Sequence, residues 1–152
     1  MRRPLSAAIL LAALAGCSGP APQPARVLDP APAVAELHDG LRAHYSLVPT
    51  LALGEAVARQ YGIRREDGTA LLVVALRQRQ ADDEVPASGQ VRAQARNLAG
   101  QRQQVQLREV GTGDYRDHIG LVRVGERDQI RIEATVLANG RSSSFSFERG
   151  FF

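Results

Sequence analysis

Three histidines, one dense polar pentapeptide and a run of serines are the residues whose types could do chemistry in this chain. A zinc or redox-metal site wants at least three converging ligands. His38, His44 and His118 show neither His-x-His nor helical i, i+4 spacing. The single cysteine excludes a cysteine-based zinc site and an intramolecular disulfide. His44 alternates outward on its strand and is expected as a solvated imidazole. In Asp114-Tyr115-Arg116-Asp117-His118 an acid and an imidazole could serve general acid–base work. Strand neighbours point to opposite faces, however, so Asp117 and His118 should not meet as a dyad. Ser142, Ser143, Ser144 and Ser146 lack a Gly-x-Ser-x-Gly setting, and no glycine-rich phosphate loop occurs. Asp82, Asp83 and Glu84 belong to a stretch from Gln80 to Gly89 that reads as a solvated loop, without the spacing of a calcium-binding EF-hand. Tyr61, Arg64 and Arg65 sit at a helix exit beside Glu66-Asp67, and tyrosine and arginine are favoured interface anchors. They are the candidate partner-binding residues, with a plain surface ion-pair cluster as the competing reading. No catalytic residue, metal ligand or cofactor is expected, and the chain reads as not an enzyme.

One residue does have a chemical future written into its neighbourhood. Arg2 and Arg3 precede an apolar run from Leu5 to Ala15, and Gly16 and Cys17 follow, the layout of an export signal. Eleven apolar residues span only about 16 Å as a helix, too short for a hydrocarbon core of about 30 Å, so the run is no permanent transmembrane anchor. Leu14-Ala15-Gly16-Cys17 resembles a bacterial lipobox, in which the cysteine thiol receives a diacylglyceryl group and becomes residue one of the mature protein. Leu14, Ala15 and Gly16 are then the processing residues and Cys17 the lipidation site. Several acyl chains, at about 0.8 kcal/mol per buried methylene, hold a protein to a membrane far more firmly than one. An ordinary cut after Ala13-Leu14-Ala15 would instead leave Cys17 a free thiol. Ser18 follows the cysteine, and by resemblance to the enterobacterial sorting rule a residue other than aspartate there directs the protein to the outer membrane.

The elements that position these residues follow from length and pattern. The 152 residues, 44% hydrophobic and 23% charged, suit one globular domain. All 19 basic residues are arginine against 16 acids, which leaves +3, or 17 − 16 = +1 without Arg2 and Arg3. That balance gives no footing for a nucleic-acid partner. Residues 18–32 hold five of the eight prolines, so residues 17–36 read as a lipidated cysteine and extended tether, after a signal peptide over residues 1–16.

Residues 37–152 read as the folded domain. Leu41, Ala43, Tyr45 and Leu47 alternate with polar residues as a first strand, and Leu53 to Tyr61 has helical spacing with Gly62 as its C-cap. Leu71 to Leu76 is apolar throughout and predicts a central strand. Alternation then predicts strands around Val91–Ala95, Val105–Leu107, Tyr115–Val124 and Ile130–Val136. Asn139-Gly140 marks a type I′ hairpin, returning the chain with Ser142, Ser144, Ser146 and Glu148 on one face and Ser143, Phe145 and Phe147 on the other. The expected fold is mainly β: an antiparallel immunoglobulin-like β-sandwich of about seven strands with one short helix after the first. All four phenylalanines lie in the last eight residues and make the final strand a core staple. Because outward positions are Arg, Gln and Ser, a lipid-facing barrel is rejected.

Tyr61-Gly62-Ile63-Arg64-Arg65, Ala70-Leu71-Leu72-Val73-Val74-Ala75-Leu76, Ala95-Arg96-Asn97-Leu98-Ala99-Gly100-Gln101 and His44-Tyr45-Ser46 stand in an order that resembles the domain of unknown function 4426 family. The resemblance covers about residues 37 to 151. Ser46 stands where the family usually has asparagine after His-Tyr. The family implies an exported protein of a Gram-negative bacterium with a β-sandwich and no established activity.

Sequence and resemblance together lead to a membrane-anchored periplasmic lipoprotein, held by lipid on Cys17, whose sandwich binds another envelope protein through a strand edge or loop. A small amphipathic or lipid-like ligand held between the sheets is the alternative, and requires an apolar cavity. An envelope hydrolase is the third reading, and requires a histidine and a carboxylate brought together from distant strands.

Overall fold

A computed structural model describes residues 33–152, so Leu14, Ala15, Gly16, Cys17 and Ser18 lie outside the described residues. In chain order the elements are β1 (Val34–Glu36), β2 (Leu41–Pro49), a 3-10 turn (Thr50–Ala52), α1 (Glu55–Tyr61), β3 (Thr69–Gln80) and β4 (Asp83–Pro86). β5 (Gln90–Arg96), β6 (Arg102–Val105), β7 (Arg108–Thr112), β8 (Tyr115–Arg123), β9 (Asp128–Ala138) and β10 (Arg141–Phe151) follow. All pairings are antiparallel. One sheet runs β1-β2-β3-β8-β7, with β4 on β3 beyond the reach of β8, and the other runs β10-β9-β5-β6.

Ten strands thus stand where about seven are expected. The three additional ones, β1, β4 and β7, are three, four and five residues long. A strand that short carries hardly one period of alternation, and its existence depends on a longer neighbour offering an edge. β1 pairs with Glu36 opposite Arg42, and so lies inside the stretch read as tether. β4 lies inside the stretch read as a solvated loop.

Alternation builds the core. Leu41, Ala43 and Leu47 of β2, Leu72, Val74 and Leu76 of β3, Ala93 and Ala95 of β5, and Ile130, Ile132, Ala134 and Val136 of β9 are buried in one cluster between the sheets. β3 is apolar at consecutive positions because its other face is covered too: Leu71 is buried, as is Ile119 of β8 on that same face. α1 lies over this face, with Ala58 buried. Gly54 caps the helix start, and Gly62 ends it in the left-handed conformation at φ 62°. The N–H of Ile63 reaches back to the carbonyl of Ala58 at 2.8 Å, the closing bond of a helix terminus that only a residue tolerating positive φ completes.

The sandwich has two unlike seams. At one, the chain crosses from β6 to β7 over Gly120, where a Cβ would stand 2.7 Å from a Val105 methyl and 2.8 Å from the Gln106 carbonyl oxygen. At the other, β2 faces β10 with no chain crossing, and Tyr45 fills the gap by stacking on Phe145 and Phe147 at 5.2 and 4.3 Å between centroids. Phe147 is buried and Phe145 and Phe151 partly so, but Phe152 is 98% exposed, so the last phenylalanine is no part of the staple. The sandwich also has two ends. Pro49, Gly68, Val124, Gly125 and Phe151 share one, and the Asn139-Gly140 turn lies at the other.

Candidate functional site: a strand edge beside a groove

The candidate partner-binding residues do not converge. Tyr61 turns inward from the last turn of α1, and its hydroxyl donates to Asp117 Oδ2 at 3.1 Å. Burial first, and the adjacent Asp117 carboxylate second, hold its phenol above the usual tyrosine range. Asp117 also lies 3.7 Å from Arg77, whose guanidinium covers the ring of Tyr115 at 4.5 Å. Arg108 donates to the Tyr61 carbonyl. Arg65 donates to the carbonyl of Leu51 at 2.8 Å and stands 3.9 Å from Glu55, tying the 3-10 turn to α1. Arg64 alone points to solvent, 3.9 Å from Glu66. Tyr61 therefore fastens the helix to the larger sheet, Arg65 ties it to the 3-10 turn, and Arg64 pairs at the surface with Glu66.

Each histidine has a polar partner. His44 Nε2 lies 2.7 Å from Glu84 Oε2, and Arg42 donates to Glu84 Oε1 at 2.5 Å while also pairing with Glu36. His44 points outward as expected, 38% exposed but paired with Glu84, while the expected loop around Glu84 is instead the strand β4. β4 delivers the carboxylate across the end of β3 to two residues of β2 about forty positions earlier, a placement that strand period alone cannot reveal. Hydrogen bonds, from Arg42 foremost and then from His44, hold the Glu84 carboxyl below the usual carboxylate range against the desolvation that opposes them. Asp117 and His118 point to opposite faces, as the strand period predicts. His118 is buried on the core side, its Nε2 3.0 Å from the Gly89 carbonyl and 3.4 Å from Glu109.

Sequence reasoning missed one contact entirely. His38 Nδ1 lies 2.8 Å from Ser143 Oγ, and its Nε2 lies 3.2 Å from the Ala138 carbonyl oxygen. A carbonyl can only accept, so Nε2 carries a proton and donates it to the Ala138 oxygen. The imidazole clips the turn after β1 to the β9–β10 hairpin, 105 positions away. Among the described residues, no group of three His, Cys, Asp or Glu side chains is placed to hold a metal ion.

The feature with the reach of a binding surface is β10. Among the described residues it forms the border of its sheet, and it pairs with β9 residue for residue, from Arg141 opposite Ala138 to Phe151 opposite Asp128, with no bulge. Asn139 and Gly140 both take positive φ, at 51° and 73°, as a type I′ turn requires. Such a turn closes on a hydrogen-bonded pair, here Ala138 and Arg141, and the alternation of an antiparallel ladder follows from it. Ser143, Phe145 and Phe147 spend their backbone groups on β9. Ser142, Ser144, Ser146 and Glu148 turn theirs to the free edge. Natural edge strands are commonly short, bulged or proline-bearing to discourage pairing, and this one is eleven residues long with none of these devices. Beside it, between β2 and β10, runs a groove of about 960 Å³. Tyr45, Leu47 and Phe147 contribute apolar surface, and Gln129, Arg131 and Glu148 a polar rim.

The described residues thus form an antiparallel two-sheet β-sandwich with β10 at the border of one sheet. The profile described as Domain of unknown function (DUF4426) matches residues 35–152, and the chain belongs to that family. The prokaryotic membrane lipoprotein lipid attachment site matches residues 1–18, which supports anchoring to a membrane through lipid. Among solved structures, the chain is similar to a DUF4426 family protein from Pseudomonas aeruginosa PAO1, with a TM-score of 0.65 and 22% identity over 78% of this chain and 93% of that one. It is also similar to a copper-bound variant of FetP from uropathogenic Escherichia coli strain F11, with a TM-score of 0.51 and 9% identity over 74% of this chain and 90% of that one. At such identities the likeness is one of fold. No curated protein matches the chain.

Proposed function

We propose that this protein is a non-enzymatic adaptor of the cell envelope. In this reading it is held by lipid on Cys17 at the periplasmic face of the outer membrane, with Ser18 as the sorting residue. It receives an extended segment of another envelope protein along β10. The observation that carries the reading is the eleven-residue free edge flanked by the Tyr45–Phe147 groove. Added strands gain affinity from backbone hydrogen bonds and specificity from alternate side chains. The matching segment would place apolar side chains over the groove and polar ones beside Ser142, Ser144 and Ser146. The small-ligand alternative gains no support between the sheets, where the facing side chains pack against one another.

Proline at position 144 supplies the test. The Ser144 N–H faces the free edge, so Ser144→Pro leaves the β9–β10 ladder intact and deletes one edge donor. A photocrosslinking residue at position 146 in living cells should give one dominant adduct in the parent and far less in Ser144→Pro. A probe at Gln104 on the β6 edge should give none. An adduct insensitive to the proline, or no adduct at position 146, overturns the proposal. Cys17→Ser is the control for anchoring.

A further inference from the structure

We infer that the Pro49 end of the sandwich is a membrane-docking surface that seats the domain on the bilayer carrying its lipid anchor. The inference rests on that anchoring, and Phe152 and Arg149 border both this end and the groove beside β10. Among the described residues, three large apolar side chains are more than half exposed: Phe152 at 98%, Leu98 at 68% and Leu51 at 51%. They come from three separate segments, the residue after β10, the β5–β6 turn and the 3-10 turn after β2. All three sit at the same end. Leu51 and Phe152 line a cavity of about 630 Å³ together with Pro49, Val124 and Phe151. Leu98 is held there by its N–H, which donates to Asp128 at 3.2 Å, and Asp128 is paired with Phe151.

Isolated apolar residues on a surface need no explanation, but the most exposed ones gathered at one end do. What covers them is indicated by the course of the chain. β1 runs antiparallel to β2, with Glu36 opposite Arg42 and Val34 opposite His44, and the Ala33 carbonyl accepts the Tyr45 N–H at 2.8 Å. Followed backwards from Glu36 to Ala33, the backbone heads along β2 toward Pro49. The described chain therefore starts, at Ala33, on a course that points back toward the apolar end. Sixteen positions separate Cys17 from Ala33, a reach of at most about 55 Å. A reach of that size exceeds the roughly 36 Å length of an eleven-residue strand, so it does not by itself select an end. The side chains do. Leucine and phenylalanine on loops insert at the headgroup boundary, and arginines snorkel beside them. Arg64, Arg127 and Arg149 flank the end against Glu66, Asp67 and Glu126, a near balance of charge that leaves apolar insertion as the driving contact.

The chain contains no tryptophan, so single replacements report on position without background. Leu51→Trp, Leu98→Trp and, at the opposite end, Leu137→Trp would be made in the full lipoprotein. Each would be reconstituted into vesicles of phosphatidylethanolamine and phosphatidylglycerol bearing bromine on the acyl chains. All three positions are exposed, so the replacements are compatible with folding, which circular dichroism checks. Tryptophan at 51 and 98 should emit to the blue of its value in the same replacement made on the lipid-free Cys17→Ser protein in buffer, and lose most of its intensity to bromine. Tryptophan at 137 should do neither. Equal quenching at both ends, or none at 51 and 98, overturns the inference. A protein partner for this end would give the second of those results in protein-free vesicles.

Discussion

Replacing Gly120 with alanine isolates what closes one seam of this sandwich. Gly120 faces the core from β8, and its φ is not in the left-handed region, so alanine fits the backbone there. The added methyl does not fit the space. It would lie 2.7 Å from Val105 Cγ1, 2.8 Å from the Gln106 carbonyl oxygen and 3.0 Å from Leu107 Cδ2, all on the chain that crosses between the sheets. Val105 is buried and the Gln106 oxygen is backbone, so neither can swing aside. Overpacking of this kind costs about 1–3 kcal/mol. Removing a glycine from the unfolded chain returns about 0.4–1 kcal/mol, which leaves a net loss of about 1–2 kcal/mol. For a domain near 120 residues at about 4 °C per kcal/mol, the midpoint should fall by roughly 4–8 °C. The measurement is a thermal melt of the lipoprotein in mild detergent, followed by circular dichroism. Val105→Ala should cost less in the Gly120→Ala background than in the parent, because it removes the nearest atom. A Gly120→Ala protein as stable as the parent would refute the reasoning, and would mean that the β6–β7 crossing does not rest on Gly120.

Other expectations follow from the same contacts. Phe147→Ala should lose about 3–5 kcal/mol in denaturant melts, since it opens the buried end of the stack on Tyr45. Because the Glu84 carboxyl is held below its ordinary range, it adds stability above its unfolded value, and this is lost as pH falls through the lower folded one. Glu84→Gln should therefore flatten the acid limb of a stability–pH curve, and an unchanged limb would place the titration elsewhere. Tyr61→Phe should cost about 1–2 kcal/mol by leaving Asp117 short of a donor, whereas Arg64→Ala should stay within about 0.5 kcal/mol in the same melts. Equal effects from the two would contradict the assignment of Tyr61 as a fastening of α1.

Much of this protein is determined by local sequence. A leader is read linearly by the export machinery, so its signal does not depend on folding. The αL cap at Gly62 and the turn at Asn139-Gly140 are legible because positive φ is a property of one or two residues. β2, β9 and β10 are legible because they alternate along strands of nine residues or more, and β3 because its apolar run from Leu71 to Leu76 is unbroken. Tertiary structure alone decides the rest. β1, β4 and β7 exist only as additions to longer strands. The Glu84 carboxylate meets Arg42 and His44, Tyr61 meets Asp117, and Ser143 meets His38 across separations of 40, 56 and 105 positions. No pattern of period two encodes which residues of different strands come level. Phe152 shares the composition of a core staple, yet it lies past the last buried position of β10, and only the end of that strand decides that it meets solvent. The free edge is likewise a matter of sheet order. β10 carries the alternation of a half-buried strand, and its availability follows from its place at the border of its sheet among the described residues.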